Sequence, residues 1–303
     1  MNIRSIRYFL AVVEAKSFSE AAKRLHISQP SLSKAIQELE HQLSLTLLHR
    51  TTRSVEVTEE GKVLYEEGRR LVIHFEHVER EMRRVERHGV PELKIGIIES
   101  VKGWLVELVR AFREEHPETL IRMKEVLGGR EVSRLLETFA VDVVITNYVF
   151  IDEAVESIQL YEEPLAIIMP ETEPLRLKDK WTSDDYASIE WVMFPEGFET
   201  RKNAQAFFHS MNVHPRISYE VERFETAIAL VENGLGMAFL PKSYVEHLEP
   251  YADFHVRPMD DNRLRRSVYL NYLKSRHLSP TIESFIRLVR QQFNRCENDG
   301  TNT

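Results

Sequence analysis

Residues 18–40 run Phe18-Ser19-Glu20-Ala21-Ala22-Lys23-Arg24-Leu25-His26-Ile27-Ser28-Gln29-Pro30-Ser31-Leu32-Ser33-Lys34-Ala35-Ile36-Gln37-Glu38-Leu39-Glu40. Ser17, just ahead of them, can cap a helix while Glu20 answers three residues on. That helix runs through Ala21, Ala22 and Leu25 until His26-Ile27 breaks it. Ser28 caps the next helix, which tolerates Pro30 in its first turn because the missing N–H would have no partner there. Leu32, Ala35, Ile36 and Leu39 form its inward stripe. Two helices across so short a turn, with small Ala22 at the crossing and Leu25, Ile27 and Leu32 in the shared core, make a helix-turn-helix. Gln29, Ser31, Ser33, Lys34 and Gln37 face outward. Gln pairs bidentately with adenine, Ser donates or accepts, and Lys reaches guanine or phosphate, so this face suits a DNA major groove. A solvated face in any small helical bundle fits the same pattern.

Working outward, Ile3, Ile6, Phe9, Leu10 and Val13 place a further helix before the pair, with Asn2 as its cap. After it, residues 47–57 read as two short strands around a basic tip. Val55 and Val57 alternate inward, and Arg50 and Arg53 are placed to contact phosphate or the adjacent minor groove, as a wing does. From Thr58 to His88 the pattern is one long helix, about 31 residues or roughly 46 Å. It carries an apolar seam of Leu64, Leu71, Phe75, Val78, Met82 and Val85, weakened by Gly68 and stopped by Gly89 and Pro91. A charged rod with one heptad seam asks for a partner helix, most simply a second copy of the chain. His74 and His77 lie a three-residue step apart, but with no Cys nearby they read as a solvated face, and no metal is assigned.

The net charge of −8 is unevenly distributed. Residues 1–58 carry 8 Lys+Arg against 5 Asp+Glu, residues 59–91 carry 7 against 8, and residues 92–303 carry 25 against 35. A basic head on an acidic body matches a DNA-binding module joined to a separate sensing or assembly module. The 303 residues suffice for two or three domains, and 43% hydrophobic with 29% charged residues is an ordinary globular composition. No apolar run is long enough to span a bilayer, and the start lacks the regions of a signal peptide, so no membrane is implicated and a cytoplasmic location is expected. The one cysteine, Cys296, excludes an internal disulfide and a multi-Cys zinc site. No nucleophile elbow, Walker loop or dinucleotide fingerprint appears, so no enzyme and no cofactor is expected.

Past Pro91, short apolar runs alternate with amphipathic helices, the pattern of α/β units around mainly parallel sheets. Strands are expected at 93–98, 120–126, 141–146, 165–169, 191–194 and 236–240. The stripe from Val101 to Phe112 and that from Val132 to Phe139 supply helices between them.

The quoted stretch, with Leu47-Leu48-His49-Arg50 and Val57-Thr58-Glu59-Glu60-Gly61 behind it, resembles the DNA-binding head of LysR-type transcriptional regulators. Residues 226–241, from Thr226-Ala227-Ile228 through Glu232-Asn233-Gly234-Leu235-Gly236 to Leu240-Pro241, resemble the effector domain of the same family, so the likeness covers nearly the whole chain. It implies that Gln29, Pro30, Ser31, Ser33 and Lys34 open and face a recognition helix and that Arg50 and Arg53 belong to the wing. It also implies a homodimer built on the long helix, often assembled further into a homotetramer. The body would be two Rossmann-like α/β subdomains joined by two crossover strands, as in periplasmic binding proteins, with a small-molecule cleft between them. Boundaries follow at 1–58 for the winged head, 59–91 for the linker helix and hinge, and 92–303 for the effector domain. Within the last, one subdomain takes about 92–162 plus 267–296 and the other about 163–266. Ala140 departs from the family, which often has glycine before the Asp of its third strand.

Ligands in open α/β sheets bind beyond the carboxyl ends of strands, where helix N-termini favour anions. That points to Ser100, Val101, Asn147, Phe198, Thr200 and Thr226, and to a small organic anion as effector. Ser100, Thr200 and Thr226 serve equally well as plain helix caps, and Trp104 reads as packing. The expected function is a DNA-binding regulator of operator DNA under effector control, with RNA polymerase as a further partner. A solute-binding protein, an architectural DNA binder and a sensory enzyme on a DNA head are the alternatives.

Overall fold

The structure, a computed structural model, describes residues 1–50, 55–86, 89–150, 152–246, 248 and 252–299. Arg53 and His88 lie outside the described residues, as do the side chains of Arg50 and Cys296. The chain divides into two compact units, Met1–Gly89 and the chain from Val90 onward.

The first unit opens with α1 (Ile3–Ala15), where Asn2 and Ser5 form a reciprocal capping box. Next come α2 (Phe18–Arg24), capped by Ser17, and α3 (Gln29–Leu43), capped by Ser28 with proline in its first turn. Glu20, expected to reach back to its cap, instead pairs with Arg24 one turn on. His26 turns the chain between α2 and α3 with a left-handed φ of 55°. Strands β1 (Leu48–Arg50) and β2 (Val55–Val57) pair antiparallel, and α4 follows (Glu59–Glu86). Ile6, Phe9, Leu10, Ala21, Ala22, Leu32, Ile36, Leu39 and Leu47 make the core, with Leu25, Ile27, Leu64, Tyr65 and Val72 packed against it. The Glu40 carboxylate accepts from the amides of Leu47 and Leu48 at 2.9 and 3.2 Å, which ties the end of α3 to the wing.

The start of α4 therefore belongs to the head. Leu64, expected in the dimer seam, is a core neighbour here. Gly68, read as a weak point of the seam, is where α1 comes close, since a Cβ there would lie 2.8 Å from Ile6 Cγ2. Beyond that region Leu71, Phe75, Val78, Met82 and Val85 are exposed, 38–65% of each being accessible.

The second unit begins with β3 (Glu92–Ile97), a single turn of 3-10 helix, α5 (Lys102–Glu115), β4 (Leu120–Glu125), α6 (Gly129–Glu137) and β5 (Val143–Thr146). The long strand β6 (Val155–Pro170) leads to α7 (Ser183–Ser188), β7 (Glu190–Met193), α8 (Glu199–Ser210), β8 (Arg216–Glu220), α9 (Phe224–Glu232) and β9 (Met237–Pro241). The chain closes with α10 (Lys242–Val245), β10 (Phe254–Pro258), β11 (Arg265–Leu273) and α11 (Pro280–Asp299). The strand order is β4-β3-β5-β11-β6-β9-β7-β8, with β10 also on β6. β3 pairs parallel with β4 and β5, and β7 with β8 and β9, whereas β6 and β11 run antiparallel to their neighbours.

β6 changes partners along its length. Residues 155–164 pair with β11, and the segment after Pro164 pairs with β9 and β10. Its two halves thus belong to two α/β layers with separate cores, one around Leu93, Ile95, Phe112, Val143 and Phe285, the other around Trp191, Phe208 and Phe239. Sequence patterning missed β8, β10 and β11, and it placed only the second half of β6. β8 has only one half-buried side chain, and β10 is a short strand whose burial comes from β6. β4, expected as a strand over 120–126, is a sheet edge with Leu120 and Met123 exposed. At the departure noted for Ala140 the left-handed residue is Phe139, φ 54°, so the turn comes one position earlier.

Candidate nucleic-acid interface and ligand cleft

In the head, burial of one stripe of α3 leaves the other outward. Gln29, Pro30, Ser31, Lys34 and Gln37 are exposed and Ser33 is half-buried. Ser28 Oγ accepts from the Ser31 amide and meets Ser31 Oγ at 2.7 Å, which fixes the first turn. Gln29 Oε1 accepts from Ser19 Oγ at 2.9 Å, so α2 positions that side chain. An amide oxygen has two acceptor sites, and its NH2 two donors, so Gln29 retains the capacity for a bidentate base contact. Lys34 Nζ lies 3.9 Å from Glu38 with both side chains mostly exposed, a pairing weak enough to yield to phosphate.

In the second unit a narrow cleft of about 40 Å³ lies beyond the carboxyl ends of β3, β4, β5 and β7. Ile98, Glu99, Val126 to Gly129 and Thr146 to Tyr148 line one side. Gly197 to Thr200, Glu222 and Phe224 line the other, and Arg266 of β11 completes it. The helices α6, α8 and α9 begin here, and none has a side-chain cap. The N-terminus of α9 is instead met by Glu99, which accepts from the Phe224 amide, and α1, α3 and α7 are closed by Asn2, Ser28 and Thr182. Gly129 admits the Tyr148 ring, which a Cβ would meet at 2.3 Å.

A buried ion pair lies at the back of the cleft. Arg266 and Glu163 have side chains 5% and 2% exposed, and Nε and Nη2 of the arginine lie 2.8 and 2.6 Å from Glu163 Oε1. Arg266 also donates to Thr200 Oγ1 and Ser100 Oγ, at 3.0 and 2.9 Å. Glu163 accepts from Ser100 and Ser243 as well, so the network links both layers through the two crossover strands. Burial, reinforced by the Glu163 charge, pushes the neighbouring Tyr161 phenol above its usual range.

The two walls are also clasped by carboxylates. Glu99 accepts from the Phe224 amide and the Tyr244 hydroxyl, both at 3.1 Å. Glu125, at the end of β4, pairs with Lys102 at 2.7 Å and with Arg223, the N-cap residue of α9. The hydrogen bond from Lys102, with Arg223 assisting, holds the Glu125 carboxyl below the usual carboxylate range.

Of the six residues expected at an effector, Asn147, Phe198 and Thr200 line the cleft. Ser100 is one layer back, bonded to Arg266, and neither it nor Thr200 is a helix cap. Val101 is fully buried in the hydrophobic core. Thr226 is exposed on α9 and lies outside the cleft lining, because α9 begins at Phe224 and places residue 226 on another face. Trp104 packs on Tyr161 and Phe293, as expected. Sequence reasoning missed Glu99, Tyr148, Phe224 and Arg266. Glu99 adjoins Ser100 at the end of the first strand and was legible by the same rule, whereas nothing local marks Arg266.

A head that presents a polar helix face, followed by a two-layered α/β unit with a cleft, defines a DNA-binding transcriptional regulator with an effector-binding domain. The chain belongs to the LysR family: residues 3–62 match the family described as "Bacterial regulatory helix-turn-helix protein, lysR family" and residues 86–294 the "LysR substrate binding domain". It is 28% identical to the HTH-type transcriptional regulator AlsR of Bacillus subtilis (strain 168), over 100% of both chains. It is 29% identical to the probable cat1 operon transcriptional activator of Acinetobacter lwoffii, over 97% of this chain and 96% of that one. Full-length CbnR complexed with its target DNA has a similar fold, with a TM-score of 0.62 and 24% identity over 96% of this chain and 99% of that one. These relatives are regulators rather than enzymes. Among the described residues no helix is long and apolar enough to cross a membrane, and no group of three or more His, Cys, Asp or Glu could hold a metal ion.

Proposed function

We propose that α3 enters the major groove of double-stranded operator DNA. Gln29, Pro30, Ser31, Ser33, Lys34 and Gln37 meet base edges and phosphate, and Arg50 and Arg53 of the wing meet the flanking backbone or minor groove. The exposed polar face of α3, beside a buried stripe that fixes its orientation, carries this reading. A small molecule with an acid group occupies the cleft, its charge met by the uncapped N-termini of α6 and α8 and its body by Asn147, Phe198 and Thr200. Ser100 acts through Arg266. Such a ligand shifts operator binding only by its differential affinity for the open and closed cleft. The chain self-associates as a homodimer through Leu71, Phe75, Val78, Met82 and Val85, and two dimers give a homotetramer on an interrupted palindrome. It acts in the cytoplasm, with RNA polymerase as a further partner.

The test is fluorescence anisotropy on DNA from upstream of its own gene, with unrelated DNA as control, at several salt concentrations. Selective binding that weakens steeply with salt is expected. Lys34→Ala costs about 1–3 kcal/mol on the operator alone if Lys34 reads a base, or lowers all sequences alike and reduces the salt slope by about 1 if it holds phosphate. Unchanged binding by Lys34→Ala removes α3 from the interface.

A further inference from the structure

The charges around the cleft narrow the chemistry of its ligand, and this rests on the cleft being the effector site. Glu99 is 7% exposed, and its two carboxylate oxygens meet only neutral donors, the Phe224 amide and the Tyr244 hydroxyl. No Lys, Arg or His nitrogen of the described side chains lies within 4.0 Å of it. A carboxylate so removed from water without a counter-cation is costly, and a cation brought to it is correspondingly favoured. Glu199 and Glu222 add two more carboxylates to the lining. Among the described residues Glu199 pairs with Lys202, 3.5 Å away and 77% exposed.

Among the described cations around the lining, Arg201, buried on α8 beside Thr200, meets the Phe194 carbonyl at 3.4 Å, and the others are engaged elsewhere. Arg266 uses Nε, Nη1 and Nη2 on Glu163, Thr200 and Ser100, and Arg223 and Lys102 both serve Glu125. Helix N-termini contribute about half a positive charge each. They therefore offset the carboxylates of the lining without reversing them. Three aromatic rings, Tyr148, Phe198 and Phe224, also face the space, and ring faces attract ammonium groups.

We propose that the effector carries a protonated amine, held against Glu99 with Glu222 nearby and bounded by the three rings. With an acid group at the α6 and α8 N-termini, the same molecule is a zwitterion of amino-acid type. A simple anion has its acid group met by helix ends but leaves Glu99 unpaired, and it gathers four negative charges in one cleft.

The experiment uses the full chain and matched triads: each proteinogenic amino acid, the amine left by removing its carboxyl, and the acid left by removing its amine. Binding is read as a thermal shift and located by hydrogen exchange. An amine-bearing member is expected to stabilise the protein and protect amides in 126–129, 146–148 and 197–200, while its deaminated partner does not. Whether the parent or the decarboxylated amine binds better separates a zwitterion from a plain amine. Glu99→Gln and the exposed Glu222→Gln, which retains the fold, each weaken that binding, Glu99→Gln by about tenfold or more. A deaminated acid that binds equally well within the cleft overturns the ammonium and leaves the effector site standing. Protection elsewhere overturns both. The ammonium is also overturned if no member of the set binds, or if binding ignores both substitutions.

Discussion

Glu163→Gln tests whether the crossover strands depend on their buried pair. The substitution keeps the volume of the side chain and removes its charge. Arg266 then remains 5% exposed with neutral acceptors alone, the amide oxygen left at position 163 and the hydroxyls of Ser100 and Thr200, while the new NH2 group faces the Ser243 hydroxyl in place of an acceptor. Leaving a buried charge without its partner costs about 3–5 kcal/mol. With a urea m-value of about 2–3 kcal/mol per M, the unfolding midpoint falls by about 1–2 M. Tryptophan fluorescence is a clean probe because Trp104, Trp181 and Trp191 all lie in the second unit. The double variant Glu163→Leu with Arg266→Met removes both charges, and an interaction energy of about 2 kcal/mol or more is expected between the two positions. A midpoint within about 0.3 M of the parent for Glu163→Gln refutes the reasoning. Simple additivity in the double variant refutes it too.

Further outcomes follow from the same geometry. Gly61→Ala places a Cβ 2.2 Å from the Leu47 carbonyl oxygen and is expected to cost about 1–3 kcal/mol, seen as faster amide exchange across residues 3–43. Gly103→Ala has nothing within 4 Å of its new Cβ and lies in α5, so it is expected to be neutral or stabilising by up to about 1 kcal/mol. Met82→Glu, in the exposed seam of α4, should weaken self-association in sedimentation by about a hundredfold, since both copies of the side chain lose about 1.5 kcal/mol of burial each. Glu125 has its folded pKa lowered below 4.5, so its clasp contributes above that value and is lost as pH falls through the folded pKa. Glu125→Gln should therefore be less stable than the parent by about 0.2–1 kcal/mol near neutral pH. The two should converge in acid, once the pH has fallen below the lowered folded pKa of Glu125.

The amino-acid sequence by itself determined the head almost completely. Its contacts are local: caps at Ser17 and Ser28, the proline of the first turn and the stripe through Leu39 all act within one or two helical turns, where spacing alone specifies geometry. The alternation of strands and helices past Pro91 was legible for the same reason, and so were the strand ends where Asn147 and Phe198 line the cleft. Tertiary structure alone decided the rest. Leu64 and Gly68 obey the seam's spacing, but α1 covers them, and no pattern within α4 encodes a neighbour 60 residues away. Thr226 and Val101 stand near strand ends in the sequence, yet the rotation of their helices turns one outward and the other into the core. Arg266 meets Glu163 and Ser100 across 103 and 166 residues of chain. Only the antiparallel register of β11 on β6 brings those charges together, and register is a property of the assembled sheet rather than of either strand.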